Sequence, residues 1–360
     1  MTHRVRYMIE IDGSYGEGGG QILRTAVSLS ALTMKPVRIF NIRAGRPKPG
    51  LKRQHIAGIE VTGRIVDAKI AGLQVGSTAV EFVPRQRRGG MISYDVGTAG
   101  SISLVLQAAL PPAILSSEPI SFKLRGGTDV KWSPPIDYLN NIFVHTLEIL
   151  GPRIQIHQRK RGHFPRGGGH VICDVTPVDS IKSFEGTRFG NISSVRGVSH
   201  CVRLPGHIAE RQAVSAGEII AKHLEVEPDI ARESYRKEED PHLGPGSGIV
   251  IWAQSEEGFR IGTDELGERG KSAEQVGSDA ASHLVAEVAT GMAIDSHLGD
   301  MLIPYLAIAK GTSKFGVAKI TSHLTTNIWA VKKILGTKIE LEGKTGESGT
   351  IIVEGGGLSL

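Results

Sequence analysis

The order in which predicted elements recur constrains this chain more than any single motif. Hydrophobic periodicity predicts a strand over 7–11 (YMIEI), a helix over Gly20–Leu32, a strand over Val37–Ile42, a helix over Leu51–Ile65, and short strands near Ala68 and Val80. The succession returns from Met91, with a strand at MISYDV, a helix over Ala99–Leu110, a strand at ISFKL, a helix over Ile136–Leu150, and strands at RIQIH and HVICDV. A third pass runs from Asp295: a helix through Ala309, a strand at FGVAKI, a helix over Ser322–Leu335, and strands at KIELE and TIIVE. Its opening strand is not evident in the sequence. One unit of strand, helix, strand, helix, strand, strand is therefore expected three times, on order and spacing rather than on identity between copies.

Between the second and third passes the grain changes. Alternating segments at SSVRGVSHCVRL and GIVIWAQS, with helices over Ile208–Leu224 and Ser272–Val288, predict a separate α/β layer. The charged run Arg232–Gly248 (RESYRKEEDPHLGPGSG) reads as a solvated surface loop. The expected fold class is thus α/β of the α+β type. Residues 1–184 and 287–360 would form a large three-repeat domain, and 185–286 a smaller inserted α/β domain.

A chain of 360 residues with 40% hydrophobic content is long enough to bury a full core. The basic opening MTHRVRYMIE is followed by no apolar stretch, and no run of 18 or more apolar residues occurs, so a cytoplasmic protein without membrane association is expected. Cys173 and Cys201 are too few for a disulfide framework and lack paired zinc spacing, so both read as packed thiols. A net charge of +5 permits a polyanionic partner without requiring one. The 46 glycines against 5% aromatic residues favour backbone approach to phosphates over base-stacking platforms.

The glycines cluster where chemistry is expected. GSYGEGGGQILR (Gly13–Arg24) sets a glycine loop between a strand and a helix, where backbone N–H groups receive anions. It is not a P-loop, because no Gly-Lys-Ser/Thr closes it. It is not a dinucleotide fingerprint either, because Gln21 stands where the last glycine is needed. IRAGRPKPGLKRQH (Ile42–His55) follows, with Arg43, Arg46, Lys48, Lys52 and Arg53 on a loop stiffened by Pro47 and Pro49. Alone, such a run is a solvated basic face; after a glycine loop in the same unit it suggests a phosphate grip.

Gln107 lies in the apolar helix LVLQAAL, where an amide needs a partner, and structural satisfaction is the commoner reason for a lone glutamine. The glycine run Arg166–Gly169 in FPRGGGH reads as a hairpin or bulge. His297 and Asp300 stand three apart at a helix start, with Asp300 a helix cap or a magnesium ligand. His323 follows Ser322 at another helix start, where the dipole disfavours the imidazolium and favours a neutral, nucleophilic ring. Most of the 13 histidines must be ordinary surface or capping residues, so His323 is a candidate on these grounds and no more.

GEGGGQILR, IRAGRPKPGLKRQH, the GTAGS and LVLQ segments, FPRGGG and SHLTTN, in this order, resemble the RNA 3′-terminal phosphate cyclase family over essentially the whole chain. The resemblance implies a three-repeat large domain, akin to that of the carboxyvinyl transferases, with a smaller α/β domain inserted before or within the third repeat. It implies that His323 attacks the α-phosphorus of ATP to form a histidinyl-AMP, and that ATP is consumed. It also implies nucleotide contacts at Gln107, His297, Leu298, Gly299, Asp300 and Met301, with Pro134 or Pro135 flanking the adenine. Glu17 and Asp300 would serve Mg²⁺ or Mn²⁺. Arg24, Arg43, Arg46, Gln54 and His55 would line the site where phosphates meet, and His55 is the first choice should cyclisation use a general base. Two positions depart from many relatives, which carry an aromatic at His297 and a glutamine at Met301.

The implied partner is RNA ending in a 3′-phosphate, converted to a 2′,3′-cyclic phosphate through an RNA-(3′)pp(5′)A intermediate. The alternative is a cyclase-like ribosome-assembly factor lacking activity, against which His323 in SHLTTN argues. Nothing in the sequence specifies an oligomeric state.

Overall fold

Three of the four sheets in the structure share one strand order and one set of strand directions. The structure is a computed structural model and describes residues 8–359; Tyr7 of the predicted first strand, and the basic segment before it, lie outside the described residues. In the first sheet β1 (Ile9–Asp12) runs parallel to β2 (Val37–Phe40). β2 is antiparallel to β4 (Val80–Val83), which is antiparallel to β3 (Lys69–Ala71). The second sheet repeats this with β5 (Gly90–Asp95), β6 (Ile120–Gly126), β8 (Gly169–Thr176) and β7 (Arg153–Lys160).

The third sheet has the order β9 (Glu185–Gly186), β14 (Lys310–Val317), β16 (Gly349–Gly356), β15 (Ile339–Glu342). Its opening strand, unreadable in the sequence, is the two-residue β9, too short for any alternation to register. Residues of the fourth sheet separate β9 from the rest of its own sheet. That sheet has the order β11 (Asp229–Glu233), β10 (Ile192–Val202), β12 (Gly246–Ser255), β13 (Arg260–Leu266), covered by α6 (His207–Leu224) and α7 (Ala273–Ala289).

Several boundaries differ from expectation for local reasons. The predicted strand 315–320 lies at Lys310–Val317, because its polar first half (KGTSK) is largely exposed while still pairing with β16. The predicted helix 99–110 is α3 (Ile102–Ala113); Ser101 starts it by accepting the Leu104 N–H at 3.2 Å, a cap worth about 1 kcal/mol. The predicted helix 136–150 is α4 (Ile136–Tyr138), a π turn over Leu139–Phe143, and α5 (Val144–Ile149). The stretch 232–248 is not simply solvated, since Asp240 and His242 are buried within it.

The large core takes its shape from α1 (Gly20–Thr33), α2 (Arg53–Ile65), α3, α8 (Leu298–Leu306) and α9 (Ser322–Leu335), which pack on one another across the three sheets. α1, α3 and α8 are buried nearly all round, as helices enclosed on every side are. A second cluster around Ile220, Ile251 and Leu284 serves the fourth sheet. Cys173 and Cys201 are free and buried. Among the described residues no helix is long and apolar enough to cross a membrane.

Candidate active site

Each of the three enclosed helices carries a polar side chain that is only partly buried. They are Arg24 on α1, Gln107 on α3 and Asp300 on α8, and all three line one cleft. Gln21, Thr25 and Asn327 complete its polar wall, and Phe143, Met301, Pro304 and Tyr305 form an apolar one. Helical spacing brings Gln21 and Thr25 to the same face of α1 as Arg24 approaches it. Apolar helices tolerate such residues only where something meets them. Here the cleft does so.

His323, the second residue of α9, stands at the edge of this cleft with its side chain about half exposed (51%). Thr321 caps α9 by accepting the Leu324 N–H at 3.1 Å, which fixes where the histidine emerges. Gln21 donates through Nε2 to Asp300 Oδ2 (2.8 Å) and to the His323 carbonyl (3.0 Å), so its Oε1 is the acceptor. His323 Nδ1 therefore donates to Gln21 Oε1, at 2.5 Å, and the neutral ring keeps its lone pair on Nε2. Nε2 lies 3.1 Å from Glu17 Oε2. Burial, together with Arg24, His297 and Arg46, lowers the His323 pKa despite Glu17, which favours the unprotonated ring.

Glu17 projects from the glycine loop, where Gly16 (φ +59°) and Gly18 (φ +57°) adopt left-handed backbone. Its carboxylate accepts from Ser322 Oγ, and its carbonyl accepts from Arg46 Nη2 at 3.2 Å. Thr25 Oγ1 donates to Asn327 Oδ1 (2.6 Å), a further link between α1 and α9, and Asn327 Nδ2 donates to the Asp300 carbonyl (2.8 Å), which ties α9 to α8. Burial raises the Asp300 pKa to about 7, with His297 and Arg24 opposing it.

The basic residues divide into two kinds. Arg43 is buried, and its Nη1 donates to the Lys48 and Gly50 carbonyls at 2.7 and 2.9 Å, so it braces the basic loop. Arg46 reaches the glycine loop. Arg24 makes no hydrogen bond or ion pair among the described residues, and burial lowers its pKa only to about 10, so it remains a cation facing the cleft. His55 accepts the Lys52 N–H at Nδ1 (3.0 Å), which leaves Nε2 as its N–H. Burial and the nearby Arg24, Arg43 and Lys52 push its pKa down to about 3. A ring so fixed donates from Nε2, and its lone pair on Nδ1 is engaged by the Lys52 N–H, an arrangement that suits a hydrogen-bond donor better than the general base for which His55 was the first choice. A Cβ at Gly20 would lie 2.4 Å from that Nε2, so the ring borders the start of α1.

Other expected residues are more scattered. Gln54 packs beside Gly100, at the turn before α3. His297 is exposed ahead of α8, while Leu298 is fully buried and Gly299 abuts Val317, so those two offer only backbone. Pro134 is half-buried between β6 and α4, outside the wall of the cleft. Asp300 is not the cap of α8. Asp295 fills that place, its Oδ1 accepting the His297 and Leu298 N–H groups at 3.0 and 2.8 Å.

A family model described as RNA 3′-terminal phosphate cyclase matches residues 15–341. The chain belongs to that family. Three proteins named RNA 3′-terminal phosphate cyclase are similar to it along nearly their whole length. The one from Methanopyrus kandleri is 54% identical over 346 residues, covering 96% of this chain and 98% of the relative. Those from Staphylothermus marinus and Ignicoccus hospitalis are 50% and 48% identical, covering 98% and 97% of this chain and 99% of each relative. The chain is thus a member of an enzyme family, and its cleft contains residues the sequence did not single out. Gln21 and Asn327 are the chief ones. Gln21 carries the same signal as Gln107, an amide in a buried helix, but in the sequence it stands out only as the residue that breaks a dinucleotide fingerprint.

Proposed function

We propose that this chain is an ATP-consuming RNA 3′-terminal phosphate cyclase acting through a histidinyl-AMP. The observation that carries the reading is the Gln21–His323 hydrogen bond, which holds a proton on Nδ1 and leaves Nε2, beside Glu17 Oε2, as the nucleophilic nitrogen of the neutral ring. In the first step Nε2 forms a bond to the α-phosphorus of ATP as the bond to pyrophosphate breaks. The positive charge gained by the ring is stabilised by Gln21 Oε1 and Glu17, and the departing charge by Arg24 and Arg46. In the second step an oxygen of the RNA 3′-phosphate attacks that phosphorus and the P–N bond breaks, giving RNA-(3′)pp(5′)A. In the third step the vicinal O2′ attacks the terminal RNA phosphorus and AMP leaves, with proximity on one ribose supplying much of the advantage.

Gln107, the α8 start from His297 to Met301, and Pro134 are assigned to ATP; Arg24, Arg46, Gln54 and the His55 Nε2–H to the RNA phosphate. Arg43 supports these by shaping the loop. The carboxylates of Glu17 and Asp300, both tied to the Gln21–His323 pair, form a hard oxygen donor set that fits Mg²⁺ or Mn²⁺. Such an ion, when bound, neutralises charge on the nucleotide phosphates. Residues 1–184 with 287–360 are taken as the catalytic unit and 185–286 as an inserted unit, in keeping with the separate fourth sheet. A cytoplasmic setting suits the RNA and ATP substrates.

The test is product analysis. With ATP and Mg²⁺, an oligoribonucleotide bearing a 3′-phosphate is expected to become resistant to phosphatase at that end, with AMP released in equal amount. Persistent phosphatase sensitivity would overturn the proposal and favour the inactive assembly factor.

A further inference from the structure

We propose that Asp129, His163 and His200 form a binding site for one divalent transition-metal ion of the zinc class, clamping the β7–β8 hairpin onto the fourth sheet. Asp129 follows β6, His163 lies in the turn between β7 and β8, and His200 is on β10. Their exposures are 2%, 6% and 1%, and one candidate ligand atom from each lies within 4.8 Å of the other two.

The decisive feature is unmet bonding capacity. Neither ring nitrogen of His200 has a hydrogen-bond partner among the described residues, and neither does Nε2 of His163. Buried polar groups are almost always paired, so three unpaired imidazole nitrogens need a reason, and one nitrogen from each ring lies near the Asp129 carboxylate. A metal ion supplies one. The two rings stack with centroids 5.2 Å apart, and Gly246 makes room for them: a Cβ there would fall 2.1 Å from His163 Cγ.

Asp129 is positioned as metal-bound carboxylates are, by surrounding hydrogen bonds. Thr128 Oγ1 donates to its Oδ2 at 2.6 Å, and Arg161 Nη1 contacts Oδ1 and Oδ2 at 3.2 and 3.4 Å. Oδ1 lies 3.7 Å from His200 Nε2. Arg161 is shared with Asp137 and Glu233, so three carboxylates surround one guanidinium and the pocket can accept further positive charge. Two imidazoles and one carboxylate suit Zn²⁺ or Co²⁺, whereas Mg²⁺ and Ca²⁺ prefer all-oxygen ligands. The site is separate from the Glu17–Asp300 pair. Its consequence is mechanical. A Cβ at Gly167 of the hairpin would fall 2.6 Å from the Thr98 carbonyl, so the clamped hairpin supports the turn that precedes α3.

The test uses the full chain, stripped with chelator and titrated with Co²⁺ in the absence of ATP. One equivalent should generate a visible ligand-field band, lost in His163→Gln and in His200→Gln but retained in a Glu17→Gln, Asp300→Asn variant. X-ray absorption at the zinc edge of the reloaded wild-type chain should resolve two imidazole ligands, a readout that stands even where a histidine variant fails to fold. Absence of stoichiometric Co²⁺ or Zn²⁺ binding by the wild type would overturn the proposal. So would a band that survives in both histidine variants. Neither readout depends on cyclase activity.

Discussion

Gln21 and His323, 302 residues apart in sequence, are joined by a hydrogen bond of 2.5 Å that decides which imidazole nitrogen carries the proton of the neutral ring. The bond crosses from the first repeat to the third. Neither α1 nor α9 alone could fix the tautomer of this ring.

Gln21 is therefore a positioning residue, and Gln21→Leu should slow formation of the adenylated enzyme about 10–100-fold, the kinetic equivalent of a buried hydrogen bond worth about 1–3 kcal/mol. ATP affinity should change little. Single-turnover kinetics at varied ATP separate the two effects; a weakened ATP affinity with an unchanged maximal rate would contradict the assignment.

Arg43 and Arg46, alike in sequence, should behave differently. Arg43→Met leaves the Lys48 and Gly50 carbonyls without their donor and should cost about 1–3 kcal/mol of thermal stability. Arg46→Met should leave stability within about 0.5 kcal/mol of wild type and impair the handling of phosphates, since its side chain is 45% exposed at the loop. Thermal unfolding alongside activity assays checks both.

His55 sets an acid limit on stability. Its folded pKa of about 3 lies below the ordinary value of 6.5, so the unfolded chain binds the extra proton. Its stabilising contribution is full above pH 6.5 and is lost as pH falls toward 3, with a slope of up to roughly 1.4 kcal/mol per pH unit. His55→Gln keeps a side chain able to cap α2 and removes the titration. Chemical denaturation between pH 7 and pH 4 should show a shallower decline in the variant.

Much of the architecture was readable because long amphipathic or apolar runs announce themselves: α6, α7 and α9 lie within a residue of their expected limits at either end. What escaped was short or masked by exposure. β9 has two residues, and β11 and β13 carry charged positions among few apolar ones. In the site, His323, Glu17, Arg24, Gln107 and Asp300 were found as motif residues and do converge. Gln21 and Asn327 were not, because each is defined by a partner distant in the chain. The reverse holds for Arg43 and His55, whose local partners at Lys48, Gly50 and Lys52 redirect chemistry that residue type alone suggested.

The most direct test of the central claim is transfer of label from [α-³²P]ATP to the protein with Mg²⁺, read on an acid-free denaturing gel for wild type and His323→Ala. Label should appear on the wild type only and be discharged by RNA bearing a 3′-phosphate. Equal labelling of the His323→Ala variant, or no label on a wild type that cyclises RNA, would contradict the histidinyl-AMP route.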